Sequence, residues 1–241
     1  MIWSHARTVS RPQTWQRSSL RLLATAAKEP LISTARGNVG KLAGAINQRV
    51  QGDGRCHVEA VGLEPCHTAM KAIVIAGTYF GKDLGESAGI ELAVTPVWGL
   101  RKGGTAPSGR PTDTAYLSLF VRPLPVAAAV KKEASTASAE EAFDVLVGSG
   151  TNVGKAAGLV AARVPKRDWV TLVCMGAASS TKALKTMIIA QKYLSGGYLG
   201  ADDVLASSVR SESFEDKHGE QRSRLVLTCR RAPGDPTSVA C

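Results

Sequence analysis

Aromatic residues are scarce in this 241-residue chain, at 5%, and no apolar run approaches the ~18–20 residues of a membrane-spanning helix. Packing therefore rests on small residues, of which the 24 glycines and abundant alanines are the sign. No Cys-x-x-Cys pair occurs, and the cysteines are odd in number: Cys56, Cys66, Cys174, Cys229 and Cys241. A disulfide scaffold is not expected at this size. The dipeptides Cys56-His57 and Cys66-His67 match no zinc-finger or zinc-ribbon spacing, so no metal site is assigned. The four histidines (His5, His57, His67, His218) are scattered, with no paired carboxylates and no Ser/His/Asp order. No enzymatic activity and no cofactor are expected. What remains is a chain that is 44% hydrophobic, enough to fill a core, with 30 Lys+Arg against 20 Asp+Glu and a net charge of +10. That balance points to a polyanionic partner.

Acid is absent from residues 1–28, which carry Arg7, Arg11, Arg17, Arg21 and Lys28 among many Ser and Thr; the first acid is Glu29. A secretory signal needs an apolar core of about 7–15 residues, and there is none. The composition is that of an organellar transit peptide, with the mitochondrial matrix preferred to a plastid. The other reading is a basic arm that stays attached and grips nucleic acid.

Sliding the chain against itself by 114 residues aligns 38–80 with 152–194 without a gap. Of those 43 positions 14 are identical, among them Asn38/Asn152, Val39/Val153, Gly40/Gly154, Lys41/Lys155, Arg49/Arg163 and Lys71/Lys185. Chance would give roughly three. The chain reads as a tandem duplication: a first domain over 29–123, a linker over 124–143 rich in Ala, Ser, Lys and Glu, a second domain over 144–232, and a tail over 233–241. In each unit a short apolar run (Leu31–Ser33; Asp144–Val147) precedes a Gly-Asn turn. A helix-spaced segment then follows over 39–50 or 153–164, with Val39, Ala43 and Ile46 at i, i+4, i+7. A strand comes next at Cys56–Val61 or Val170–Met175, then a longer helix over 65–80 or 179–194 with a stripe of Ala69, Ile73, Ala76 and Phe80. Two β-type runs close each unit: Ile90–Val94 with Ala115–Val121, and Asp203–Ala206 with Arg224–Cys229. The order β-α-β-α-β-β predicts an α/β unit with helices on one face of a small mixed sheet.

That order resembles the stage V sporulation protein S family of the Alba-like fold. The matching stretches in the first unit are GKLAGAINQRV, HVEAVGLEPCHTAMKAIVIAGTYF, GIELAVTPVW and TAYLSLFVRP. The second unit is more divergent but keeps GTNVGKAAGLVAARV and VTLVCMGAASSTKALKTMIIAQKYL. The resemblance covers about two-thirds of the chain and implies tandem Alba-like units. It implies nucleic-acid-binding modules that pair, so the two repeats should pair within the chain. It also implies basic contacts from the first helix, the start of the second helix and the last hairpin loop. Two departures stand out: a linker fuses the units, and the second hairpin carries Glu212, Glu215, Asp216 and Glu220 beside its bases.

The candidate contacts follow from charge and helix geometry. GNVGK and TNVGK each place a helix N-terminus beside a lysine, so Asn38 and Asn152 read as caps and Lys41 and Lys155 as phosphate contacts. A P-loop is excluded, since Ala35 and Ser149 replace its glycine and Leu42 and Ala156 its Ser/Thr. Lys71, Lys185 and Lys182 lie on the second helices as further phosphate contacts. The hairpin loop 98–113 brings Arg101, Lys102 and Arg110 against one acid, with Trp98 at its base either to stack a nucleobase or to join the core. The loop 210–224 has four bases against four acids and reads as a protein contact. The expected function is organellar nucleic-acid binding, RNA before DNA. The alternative is a non-catalytic structural subunit of a large organellar assembly such as the mitochondrial ribosome, whose proteins would then be its partners.

Overall fold

Asn38 and Asn152 each precede a helix in extended backbone, and their carboxamide oxygens accept the amides of Lys41 (2.9 Å) and Lys155 (3.1 Å). These are the caps that the sequence predicts. The computed structural model describes residues 29–84, 89–103, 113–126, 144–216 and 218–234. The first unit runs β1 (Leu31–Ser33), α1 (Val39–Asp53), β2 (Cys56–Ala60), α2 (Leu63–Leu84), β3 (Ile90–Arg101) and β4 (Thr114–Pro125). The second runs β5 (Val145–Val147), α3 (Val153–Arg167), β6 (Trp169–Cys174), α4 (Ala177–Leu194), β7 (Asp203–Glu215) and β8 (Gln221–Pro233). The order β-α-β-α-β-β occurs twice, and the last strand of each unit runs a residue or two beyond the domain end expected from sequence. Residues 1–28, read from the sequence as a targeting segment, nearly all of the linker, most of the tail, Arg110 and Lys217 of the second hairpin lie outside the described residues.

The eight strands form one sheet in the order β1-β2-β4-β3-β7-β8-β6-β5. Each outer pair, β1/β2 and β5/β6, is parallel, and every other pair is antiparallel. The order is the same read from either end, so the units are related by a pseudo-two-fold axis between β3 and β7. There Ala93 pairs with Ser208 and Val94 with Ser207. A lone four-stranded unit would leave the backbone of β3 as an open edge. The twin unit covers that edge at Ala93 and Val94.

Side chains alternate across each strand. Cys56, Val58 and Ala60 of β2 enter a core with Ala43, Ile46 and Val50 of α1 and Ala69, Ile73 and Ala76 of α2. Val170, Leu172 and Cys174 of β6 do the same with Ala157, Val160 and Val164 of α3 and Ala183, Met187 and Ala190 of α4. The helices thus pack on one face, and the core is a single cluster that crosses the axis. Alanine at the helix contacts lets the layers approach, which explains how a chain poor in aromatics still packs. On the opposite face Ala93, Leu124, Ala206 and Ala232 form a small apolar cluster at the seam. A reciprocal pair of arginines flanks it. Arg122 of the first unit donates to the carbonyl of Pro233, and Arg230 of the second donates to the carbonyl of Pro125 and to Glu91 (2.9 Å).

The hairpins depart from the sequence reading. β3 and β4 stay paired out to Arg101↔Thr114, so Trp98 to Arg101 lie on a strand and not in a loop. Gly99 makes this possible, because a Cβ there would stand 2.3 Å from the ring of its partner Tyr116. In the second unit the ladder runs from Asp203↔Pro233 to Glu215↔Gln221. Its mixed charges are pairs within the hairpin: Arg224 to Glu212 at 3.2 Å, Arg222 to Asp216 at 2.7 Å and Arg222 to Glu220 at 2.8 Å. Balanced charge here marks a strand pair and not an irregular loop.

Candidate nucleic-acid interface

Lys41 and Lys155 occupy the same place in α1 and α3, and both side chains are exposed. Each lysine's amide is taken by the asparagine cap. The two preceding residues, Val39 and Gly40 or Val153 and Gly154, have no intrahelical acceptor for theirs. An anion placed there meets two amides, the helix dipole and a mobile ammonium. Lys71 is exposed on α2. Lys182 is not available in the same way. Its ammonium donates to the carbonyls of Ser149 and Thr151 (3.0 Å for the latter) and ties α4 to the turn before α3. Lys185 lies with its Nζ 5.0 Å from the centre of the Trp98 ring. Trp98 is 45% exposed, so it is neither a core residue nor a free stacking platform; the other unit's lysine covers it.

Arg101 is likewise committed. Its Nη2 sits 2.6 Å from Oε2 of Glu59, whose side chain is only 9% exposed, and its guanidinium stands 5.6 Å from the centre of the Tyr116 ring. A carboxylate so poorly hydrated requires its counter-ion, so Arg101 is a structural partner before it is a phosphate contact. Sequence reasoning missed this because Glu59 lies 42 residues away and looks like a strand residue with no charge nearby. Lys102 is exposed at the end of β3. The structure therefore brings Lys41, Lys71 and Lys155 to the surface of the helix layer and sets Lys102 apart, just past the end of β3.

The Cys-His dipeptides are drawn apart. Cys56 points into the core while His57 points to the opposite face, where it stacks on Phe120 (ring centres 4.5 Å apart) and shares a 3.1 Å hydrogen bond with Ser118. Cys66 is buried, and His67 shares a 3.0 Å hydrogen bond with the Ser180 hydroxyl across the axis. Burial pushes the thiols of Cys56 and Cys229 up to about 12 and that of Cys174 up to about 11. Such thiols are poor nucleophiles and poor ligands. Among the described residues no three of His, Cys, Asp or Glu gather as metal ligands, and no helix is long and apolar enough to cross a membrane.

Burial lowers both His57 and His67 below the ordinary value of 6.5. Below that pH the unfolded chain takes up protons on these rings that the folded chain resists, so stability is full above about pH 6.5 and declines as the pH falls. The urea midpoint should accordingly be lower at pH 5.5 than at pH 7.5. His57→Gln with His67→Gln, which keep a hydrogen-bonding group, should flatten that difference; an undiminished difference in the double variant would assign it to other groups.

The fold and the basic helix starts define a class: a tandem α/β module with a single helix layer, whose two units pair through their own strands. Within it, residues 31–100, from β1 to near the end of β3, match the family model of stage V sporulation protein S. That match supports one Alba-like copy of this family in the first unit. No curated protein matches the chain.

Proposed function

We propose that this chain is a non-catalytic nucleic-acid-binding protein of an organelle, the mitochondrion before a plastid. It is built from two Alba-like copies of the stage V sporulation protein S type and favours RNA over DNA. The observation that carries the reading is the duplicated helix start: Asn-capped α1 and α3, each with an exposed lysine at its third position, in a chain of net charge +10. Two such seats on a rigid pair can hold two phosphates at a fixed separation, which gives affinity without base readout. The test is a filter-binding titration of the purified chain with RNA and with DNA across salt. Phosphate-driven binding weakens steeply as salt rises. Association with organellar particles that persists in high salt, with no binding to free RNA, would move the assignment to a structural subunit of such an assembly.

The localisation rests on the acid-free basic segment 1–28. Residues 1–35 fused to a fluorescent reporter should carry it into mitochondria. A diffuse cytosolic signal would return the segment to the role of a retained basic arm.

A further inference from the structure

The pseudo-two-fold axis makes two related seats, and the largest of the differences between them is an aromatic ring present in one only. The sheet register equates Trp98, opposite Leu117 on β4, with Ser211, opposite Leu225 on β8. The repeat equates Lys185 with Lys71. In one seat the Trp98 indole lies under the Lys185 ammonium, 5.0 Å away. In the other, serine brings no ring, and a cleft of about 360 Å³ opens between α2 and the β7–β8 hairpin. Its walls include Val74, Ile75 and Leu225, and its polar groups include His67, Lys71 and Ser211. Arg224 stands at the same cleft, held by Glu212 and lying 5.1 Å from the Phe214 ring centre.

The occupied seat states what the open one suits: a flat aromatic ring with an ammonium over its face. The volume is at the lower end of the ~300–1,000 Å³ typical of small-ligand clefts. The exposed ammonium of Lys71 at its rim favours a ring that carries phosphate over the aromatic side chain of another protein. We propose that this cleft takes one unpaired nucleobase of a bound single strand, in the position that Trp98 fills in the related seat. This rests on the nucleic-acid-binding reading above and adds to it a preference for single-stranded over fully paired nucleic acid.

Ser211→Trp should fill the cleft from within. The full chain and this variant are titrated with a labelled 20-nucleotide uridine-rich RNA and with a blunt 20-base-pair RNA duplex. The same RNA carrying 4-thiouridine maps the contact by crosslinking. Loss of one base contact of about 1–3 kcal/mol corresponds to a drop of roughly 5- to 150-fold in single-strand affinity, with a much smaller change for the duplex, which offers the cleft no unpaired base. Crosslinks on the His67–Ile75 peptide should vanish with it. Trp98→Ser should do the reverse and create a second crosslink, beside Lys185, which keeps the test decisive if Ser211→Trp folds poorly. Excess uridine competing for the crosslink, where inorganic phosphate at the same concentration does not, separates a base from its phosphate. Unchanged single-strand affinity in Ser211→Trp, or crosslinks that stay in place, overturns the cleft and leaves the phosphate reading intact. Binding of neither RNA by the wild type overturns both.

Discussion

Replacing Arg230 with alanine should destabilise the whole chain by about 2–4 kcal/mol, and adding Arg122→Ala should take off about another 1 kcal/mol. Arg230 belongs to β8, yet its Nη2 is bonded to the carbonyl of Pro125 and to Glu91 of the first unit. Its side chain is 12% exposed and that of Glu91 27%, so truncation leaves a poorly hydrated carboxylate and a carbonyl without their donor. Arg122 makes the reciprocal bond to the carbonyl of Pro233. The two-fold relation predicts the same role for both, and the Glu91 carboxylate that Arg230 also holds predicts the larger effect there. Urea unfolding followed by circular dichroism measures the loss, and solution scattering reports whether the units separate first. Arg230→Lys should recover less than half, because one ammonium on a flexible stem replaces a planar fork that reaches two acceptors. If the double variant stays within about 0.5 kcal/mol of wild type, the seam is held by the Ala93–Ser208 ladder and the shared core alone.

The arginines also show where sequence reading ends. The periodicities of α1 to α4 and the caps at Asn38 and Asn152 are local, and each stands where the spacing put it. The repeat at a spacing of 114 is legible through residue 194, and the family resemblance added to it the expectation that the units pair. Past that point, between the second helix and the next strand, the offset slips from 114 to 113, so Trp98 and Ser211 fall out of alignment and their equivalence appears only in the strand register. The same holds for partners distant in sequence. Lys182, Lys185 and Arg101 look like three solvated cations, and the fold gives them Ser149 and Thr151, Trp98, and Glu59. Charge counting could find the basic chain. It could not tell which charges the protein has already used on itself.

That distinction sets the outcome for the nucleic-acid contacts. Each lysine that meets a phosphate contributes about 0.7–0.9 to the slope of log affinity against log salt. Lys41→Ala with Lys155→Ala should therefore lower the slope by about 1.4–1.8. Arg101→Ala should leave it nearly unchanged and instead lower stability by about 1–2 kcal/mol, because Glu59 loses its counter-ion. The sequence alone predicts a fall of about two to three for Arg101, Lys102 and Arg110 changed together to alanine; with Arg101 held by Glu59, the share of the first hairpin drops to that of Lys102 and Arg110. Changes at Arg222 and Arg224 should do less still, since Asp216, Glu220 and Glu212 already neutralise them. Circular dichroism first confirms that each variant is folded, and filter binding across salt then gives the slopes. A slope that falls for Arg101→Ala as much as for the lysine pair would mean that the guanidinium leaves Glu59 for a phosphate on binding. Slopes equal to wild type in the lysine pair would remove the helix starts from the interface and leave the first hairpin as the binding arm.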